Sequence, residues 1–161
     1  MPLPTITTPT YELSLPSSGK KVKYRPFLVK EEKILIIALE TKDQNDITNA
    51  VKDVLKKCIL TRGIKVDSLP TFDIEFIFLN IRAKSVGEVA KLKLLCPDDK
   101  ETYAQVELDL SKVNVEVDDE HSNEIVVNDK IKMVLAYPTI DSFDPNQDAK
   151  TLKTQQLFDV I

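Results

Sequence analysis

The spacing of apolar residues changes at Gly87, and this change constrains the fold more than any other feature of the sequence. Across the predicted helices before Gly87, apolar side chains recur every three to four residues, the period of an α-helix that faces a core. After it they alternate with polar residues, as in β-strands with one buried face. The sequence therefore predicts an α+β protein in which helices precede an antiparallel sheet.

Three helices are predicted in the first half. The second is the clearest, because its apolar residues form one helical stripe: Ile47, Ala50, Val51, Val54, Leu55, Cys58 and Ile59. The first is predicted over 28–41 and the third over 71–84. The third segment also alternates like a strand, but acidic residues at its start and basic residues at its end complement a helix dipole, which favours the helix.

The first helix contains the longest apolar run of the chain, the six residues Ile34–Leu39. A membrane span needs about 20 apolar residues, so this run is too short to cross a bilayer. A helix that is apolar on every face is buried on every face. We therefore expect Ile34–Leu39 at the centre of a three-helix core beneath a hairpin, with a second copy of the chain as an alternative cover for one side.

Strand signals flank the helices. An N-terminal hairpin is predicted over 11–24, with its turn at Pro16–Gly19. After Gly87, strands are predicted over 90–96, 102–110, 113–117 and in a hairpin over 125–137. We expect these to form one antiparallel sheet of four to five strands with one buried face.

Three regions follow from this pattern. They are a hairpin and helical subdomain over 1–86, a sheet subdomain over 87–140, and a linker over 141–161 that contains the start of a C-terminal helix. The chain stops on Val160-Ile161 without a cap or a polar tail. Because natural helices rarely end in this way, we expect the last helix to be truncated.

Charge and cysteine content exclude several classes of protein. Residues 1–84 carry 14 Lys and Arg against 10 Asp and Glu, a net +4, and residues 85–161 carry 8 against 16, a net −8. The uneven charge predicts solvated surfaces or attraction between neighbouring copies, and neither half is basic enough for a nucleic-acid interface. Two cysteines without a secretory signal indicate a reducing cytoplasm.

No catalytic, cofactor or metal site is predicted. A glycine-rich phosphate loop is absent from the sequence. Cys96 lies at a hairpin turn like half of a zinc knuckle, but Asp99 stands where the second cysteine is needed. The only histidine, His121, follows three acidic residues in a polar loop, which favours a solvated turn. A small metal- or ligand-binding domain is kept only as a remote alternative.

Several stretches of the sequence resemble a known family. They are YELSLPSSGKKVKYRPFLVKEEKILIIALE, NAVKDVLKKCI, LPTFDIEFIFLNIRAKSVGE and the hairpin from LKLLCPDDKE to LDL. Together they are similar to the baseplate hub subunit and hub assembly chaperone family of T-even-type, cyanophage-like contractile-tailed bacteriophages. The resemblance covers about residues 9–140, and RPFLVKEEK is among its most specific parts.

The resemblance implies a non-enzymatic role in building the tail baseplate hub, without a cofactor. Implied partners are other hub proteins, with the tape-measure protein as a candidate. The implied location is the host cytoplasm during assembly, and the virion baseplate if the protein stays there. An assembly chaperone would cover a partner's apolar surface until that partner docks. A permanent structural subunit of the virion is the alternative.

Candidate partner contacts lie at the entry to the first helix and on the third helix. The charged first half of RPFLVKEEKILIIALE carries the resemblance best, so a partner is expected there. For each of them, core packing or solvation is the competing interpretation. The candidates are Arg25, Phe27, Lys30, Glu31, Phe72, Phe76 and Arg82.

Overall fold

The structure, a computed structural model, describes residues 8–118, 121–128 and 130–140. An N-terminal hairpin is followed by three helices and two further hairpins, so the predicted α+β class is confirmed. The elements are β1 Tyr11–Ser14, β2 Lys21–Tyr24, α1 Val29–Thr41, α2 Gln44–Cys58, α3 Thr71–Val86, β3 Val89–Leu95, β4 Tyr103–Asp109, β5 Glu124–Asn128 and β6 Ile131–Val134. Short 3-10 helices lie at Val66–Ser68 and Leu110–Lys112.

Helices α2 and α3 and the hairpin β1–β2 build the main core. The predicted apolar stripe of α2 faces the core, since its members Val54, Leu55 and Cys58 are fully buried. The helical interpretation of 71–84 is also confirmed. The buried members of this core are Leu15, Val22, Tyr24, Val54, Leu55, Cys58, Val66, Ile74, Ile77 and Ile81.

The hairpin β1–β2 is joined to the end of α2 through its second strand. Val22 and Tyr24 point into the core from that strand. Directly after it, the Arg25 N–H donates to the carbonyl of Cys58, the last residue of α2, at 3.0 Å. This bond satisfies a carbonyl that a helix end otherwise leaves without an intrahelical partner.

A buried carboxylate anchors the turn of the same hairpin to the first turn of α3. The Asp73 side chain has no exposed surface. Its Oδ1 accepts the Ser17 N–H at 3.1 Å, and its Oδ2 accepts the Ser17 hydroxyl. Burying a carboxylate costs free energy unless it is hydrogen-bonded. The bonds between Ser17 and Asp73 therefore fix where the turn meets α3. Pro16 and Phe72, the sequence neighbours of the pair, come to line one groove.

The expectation that Ile34–Leu39 lies at the centre of the core is wrong. Ala38 is the only buried residue of this run, whereas Ile36, Ile37 and Leu39 are exposed. The physical reason is that α2, α3 and the hairpin already enclose the main core. Helix α1 packs against α2 from outside, and Leu35 reaches only the edge of the core.

The predicted single sheet is also wrong. The described residues form three separate two-stranded antiparallel sheets, β1–β2, β3–β4 and β5–β6. Alternation correctly predicted the strands of each hairpin, because hairpin pairing is local. Whether one hairpin pairs with the next depends on contacts between distant residues, and β4 and β5 do not pair. The apolar strand faces that were expected to be buried in one sheet are consequently largely exposed to solvent.

The strand predicted over 113–117 does not form. After β4 the chain enters the 3-10 helix Leu110–Lys112, whose start is capped by Asp109. The Asp109 carboxylate accepts the Ser111 N–H at 3.0 Å. Residues 113–118 then run without strand structure. The C-terminal helix expected from about residue 147 lies outside the described residues. The division into regions 1–86, 87–140 and 141–161 stays a prediction.

The two cysteines are expected to differ in reactivity. Burial in the core raises the pKa of the Cys58 thiol to about 11, so little of the reactive thiolate exists at neutral pH. Cys96 is half-buried at a hairpin turn. An aromatic disulfide reagent should therefore label one thiol in the native protein and two in denaturant. Native Cys96→Ser protein should stay unlabelled, and fast labelling of that variant would contradict the burial of Cys58.

Candidate functional site

A bidentate ion pair fixes the entry to α1. The guanidinium of Arg25 donates from Nη2 to Glu31 Oε1 at 2.9 Å and from Nη1 to Oε2 at 3.0 Å. Nη1 also donates to the Pro26 carbonyl at 2.9 Å. Glu31 Oε2 accepts the Leu28 N–H at 2.6 Å, so the same carboxylate caps the helix. These bonds lock β2 to α1.

Burial and charge make this pair a structural element. The Glu31 side chain is 1% exposed and that of Arg25 is 15% exposed. The hydrogen bonds from Arg25 lower the pKa of Glu31, and the hydrogen bond to Glu31 raises the pKa of Arg25. Both groups therefore stay charged at neutral pH. Their polar atoms are directed at each other, inside the protein.

The remaining predicted contact residues have different surroundings. Lys30 is exposed on the first turn of α1. Phe27 is half-buried, and its N–H donates to Ser85 Oγ at 3.0 Å, which joins the start of α1 to the end of α3. The structure thus brings the helix-entry candidates next to the end of α3.

Three of the predicted contact residues lie on α3. Phe72, Phe76 and Arg82 are each half-buried. Within the described ranges, the Nη1 atom of Arg82 is buried without a hydrogen-bond partner. Phe72 also lines a groove at the surface. Partner contact through these residues stays a prediction.

Helix α1 presents an exposed apolar face, which the sequence analysis missed. We define this α1 face as Val29, Ile36, Ile37 and Leu39, which are 68%, 49%, 62% and 61% exposed. Positions 29, 36 and 37 share one side of a helix, since they are separated by about two turns. The opposite side carries the buried Glu31 and Ala38.

A second apolar surface lies on the hairpin β3–β4, which we call the β3–β4 ribbon. Its register pairs Leu92 with Val106 and Ala90 with Leu108. Ala90 is buried against Ala83 of α3. Farther along, Leu92, Val106 and Leu108 are between 38% and 43% exposed. The ribbon thus contacts α3 through Ala90 and leaves one apolar face partly exposed to solvent.

A groove with aromatic walls forms the third candidate surface. Phe72 and Tyr137 meet edge to face, with ring centroids 4.9 Å apart. The rings of Tyr137 and His121 are nearly parallel, and the Tyr137 hydroxyl lies 2.7 Å from His121 Nε2. Glu116 and Asp118 add carboxylates to the lining, and the groove has a volume of about 200 Å³.

Asp99, which stands where a second zinc-binding cysteine would be needed, holds the β3–β4 turn together instead. Asp99 accepts the N–H groups of Glu101 and Thr102, each at 3.1 Å, and the Thr102 hydroxyl. The hydrogen bond from that hydroxyl lowers the pKa of Asp99. Across the described ranges, His, Cys, Asp and Glu side chains do not form any group of three or more that could hold a metal ion.

Exposed apolar faces such as those on α1 and on the β3–β4 ribbon are typical of binding sites for other proteins. A sequence model of the family described as T4 bacteriophage base plate protein matches residues 8–161. The chain therefore belongs to this family of T4-type phage baseplate proteins, which confirms the resemblance to a baseplate family. Comparisons with curated proteins and with solved structures gave no match.

None of the helices in the described part of the chain has the length and apolar character that a membrane span requires.

Proposed function

We propose that this baseplate protein is a non-enzymatic assembly chaperone of the baseplate hub that acts through protein–protein contacts. Its partners would be other hub proteins, with the tape-measure protein as a candidate, and it would act in the host cytoplasm during assembly. The observation that carries the proposal is the exposed α1 face on a member of a baseplate family.

The α1 face is suited to binding because its helix is already fixed. The ion pair between Arg25 and Glu31 and the bond from Phe27 to Ser85 hold the first turn of α1 in place. A surface that is rigid before binding loses little conformational entropy when a partner arrives. The partner we infer is an amphipathic helix or apolar strand of a hub protein, lying along α1.

The size of the α1 face indicates that it does not act alone. Burying the rest of four side chains that are half to two-thirds exposed would contribute roughly 4–8 kcal/mol. Association itself costs about 4–15 kcal/mol. We therefore infer that the same partner, or a second one, also covers the apolar face of the β3–β4 ribbon.

Replacing Ile37 with aspartate should abolish complex formation. The charge would have to be desolvated beneath the partner, so we expect at least a tenfold loss of hub proteins recovered with the tagged chain from co-expressing cells. Because Ile37 is exposed, the fold should stay intact. Circular dichroism and a thermal melt check this point.

Asn49→Asp provides the matched control. It adds the same charge at an exposed position of α2, so recovery should equal that of the wild type. Equal recovery with Ile37→Asp would contradict the role of the α1 face.

The alternative role, a permanent structural subunit of the virion baseplate, uses the same contacts. Mass spectrometry of purified particles and of baseplate intermediates separates the two roles. An assembly chaperone should be present in intermediates and depleted from finished particles. Stoichiometric presence in finished particles would establish the structural role and overturn the chaperone.

A further inference from the structure

The aromatic groove differs in chemistry from the two apolar faces. Its walls are the rings of Phe72, Tyr137 and His121, and its lining includes the carboxylates of Glu116 and Asp118. A volume of about 200 Å³ is below the size of pockets that take drug-like ligands. The groove therefore suits a single side chain.

The aromatic walls are held in place before any ligand arrives. Tyr137 contacts Phe72 edge to face and is bonded through its hydroxyl to His121. Phe72 precedes Asp73, whose carboxylate binds both the N–H and the hydroxyl of Ser17. The His121 N–H also donates to the Asp118 carbonyl at 2.9 Å, which joins the backbone of His121 to that of Asp118.

The charge of the groove selects a cation. Two acidic residues, Glu116 and Asp118, line the groove together with aromatic rings, and the negative quadrupole of a ring face attracts a cation and repels an anion. Residues 85–161, which supply both carboxylates, carry a net charge of −8. Anionic ligands are therefore poor occupants of this groove.

Among cations, arginine fits this geometry better than lysine. A guanidinium is planar, so it stacks on an aromatic face while its N–H groups bind a carboxylate in pairs. The nearly parallel rings of Tyr137 and His121, 6° apart, offer such a face. An ammonium group is a compact, strongly hydrated charge and gains less from stacking.

We propose that this groove binds an arginine side chain presented by a basic segment of a partner protein. The proposal rests on the proposed function only for the source of that segment, a baseplate partner. The binding chemistry itself depends on the groove alone, and it can be tested with the purified chain.

His121 is the only histidine of the chain, so its ring protons report directly on the groove. We would titrate the full chain with the capped tripeptide acetyl-Gly-Arg-Gly-amide and follow the imidazole proton resonances by NMR at constant neutral pH. The expected result is a saturable shift. The glutamate tripeptide should leave the resonances unchanged, and the lysine tripeptide should bind more weakly.

Two variants identify the source of the shift. Glu116→Gln keeps the size of the side chain and removes one charge, so the affinity for the arginine tripeptide should fall roughly two- to fivefold, as for an exposed ion pair. Glu40→Gln, at an exposed position on α1, is the matched control and should bind like the wild type.

Three results would overturn the proposal. They are no shift with the arginine tripeptide, an equal shift with the glutamate or lysine tripeptide, and an unchanged affinity in Glu116→Gln. None of these affects the recovery of hub proteins through the α1 face, and a failure of the Ile37→Asp experiment would leave the arginine titration unaffected. The two proposals can therefore fail independently.

Discussion

Glu31→Gln is expected to lower the free energy of unfolding by about 3 kcal/mol, because it leaves the Arg25 guanidinium largely buried without its counter-charge. The value lies at the lower end of the range for broken buried pairs, since Arg25 keeps some contact with water. Urea denaturation followed by circular dichroism measures the loss. Glu40→Gln, exposed on the same helix, should stay within about 0.5 kcal/mol of the wild type.

The same pair gives stability a defined dependence on pH. The folded protein lowers the pKa of Glu31 from its ordinary value of 4.5. The stabilisation is therefore fully present above pH 4.5 and is lost as the pH falls through the folded pKa. The difference in stability between wild type and Glu31→Gln should shrink in that acidic window. A difference that is constant through it would show that folding does not lower the pKa of Glu31.

Leu55→Ala is expected to cost about 3 kcal/mol, whereas Ile37→Ala should change stability by less than about 0.5 kcal/mol. Leu55 is fully buried in the main core, so its truncation leaves a cavity. Ile37 is 62% exposed on α1, and alanine is the better helix former. Chemical denaturation of both variants makes the comparison.

The pair of variants separates a core position from a docking position. Both replace an apolar side chain in a helix with alanine, so helix propensity is nearly matched. A loss with Ile37→Ala as large as that with Leu55→Ala would mean that Ile37 is buried in solution. That result would remove the basis for the α1 face.

The sequence predicted the elements well and their packing less well. The stripe of α2 was unambiguous because apolar and polar positions separate cleanly around the helix. In α1, apolar residues occupy nearly every position of Ile34–Leu39, so periodicity does not tell which side meets the core. The exposed side became evident only from the position of α2 beside it.

The hairpins illustrate the same limit. Alternation and turn residues fixed the pairing within β3–β4 and within β5–β6, because those contacts are close in sequence. Joining the hairpins into one sheet would need contacts between residues far apart, for which a single sequence carries no local signal. The valines at 113, 115 and 117 alternate correctly, and still they pair with none of the strands in the described ranges.

Site residues were predictable only in part. Glu31 at the third helical position is a recognisable capping signal, yet its pairing with Arg25 inside the protein was not anticipated. Phe72 was selected from its position on α3. Tyr137, its aromatic partner in the groove, lies 65 positions later, and nothing local connects the two.

The order in which the core residues occur along the chain has a consequence for biosynthesis. Among the residues that the structure describes, every buried member of the main core lies between Leu15 and Ile81. A ribosome has therefore delivered the complete set when only half of the chain has been made, and domains fold in the order of their synthesis. The second half is made afterwards, and only then can Ile140 pack against this core and Thr139 pair with Pro70.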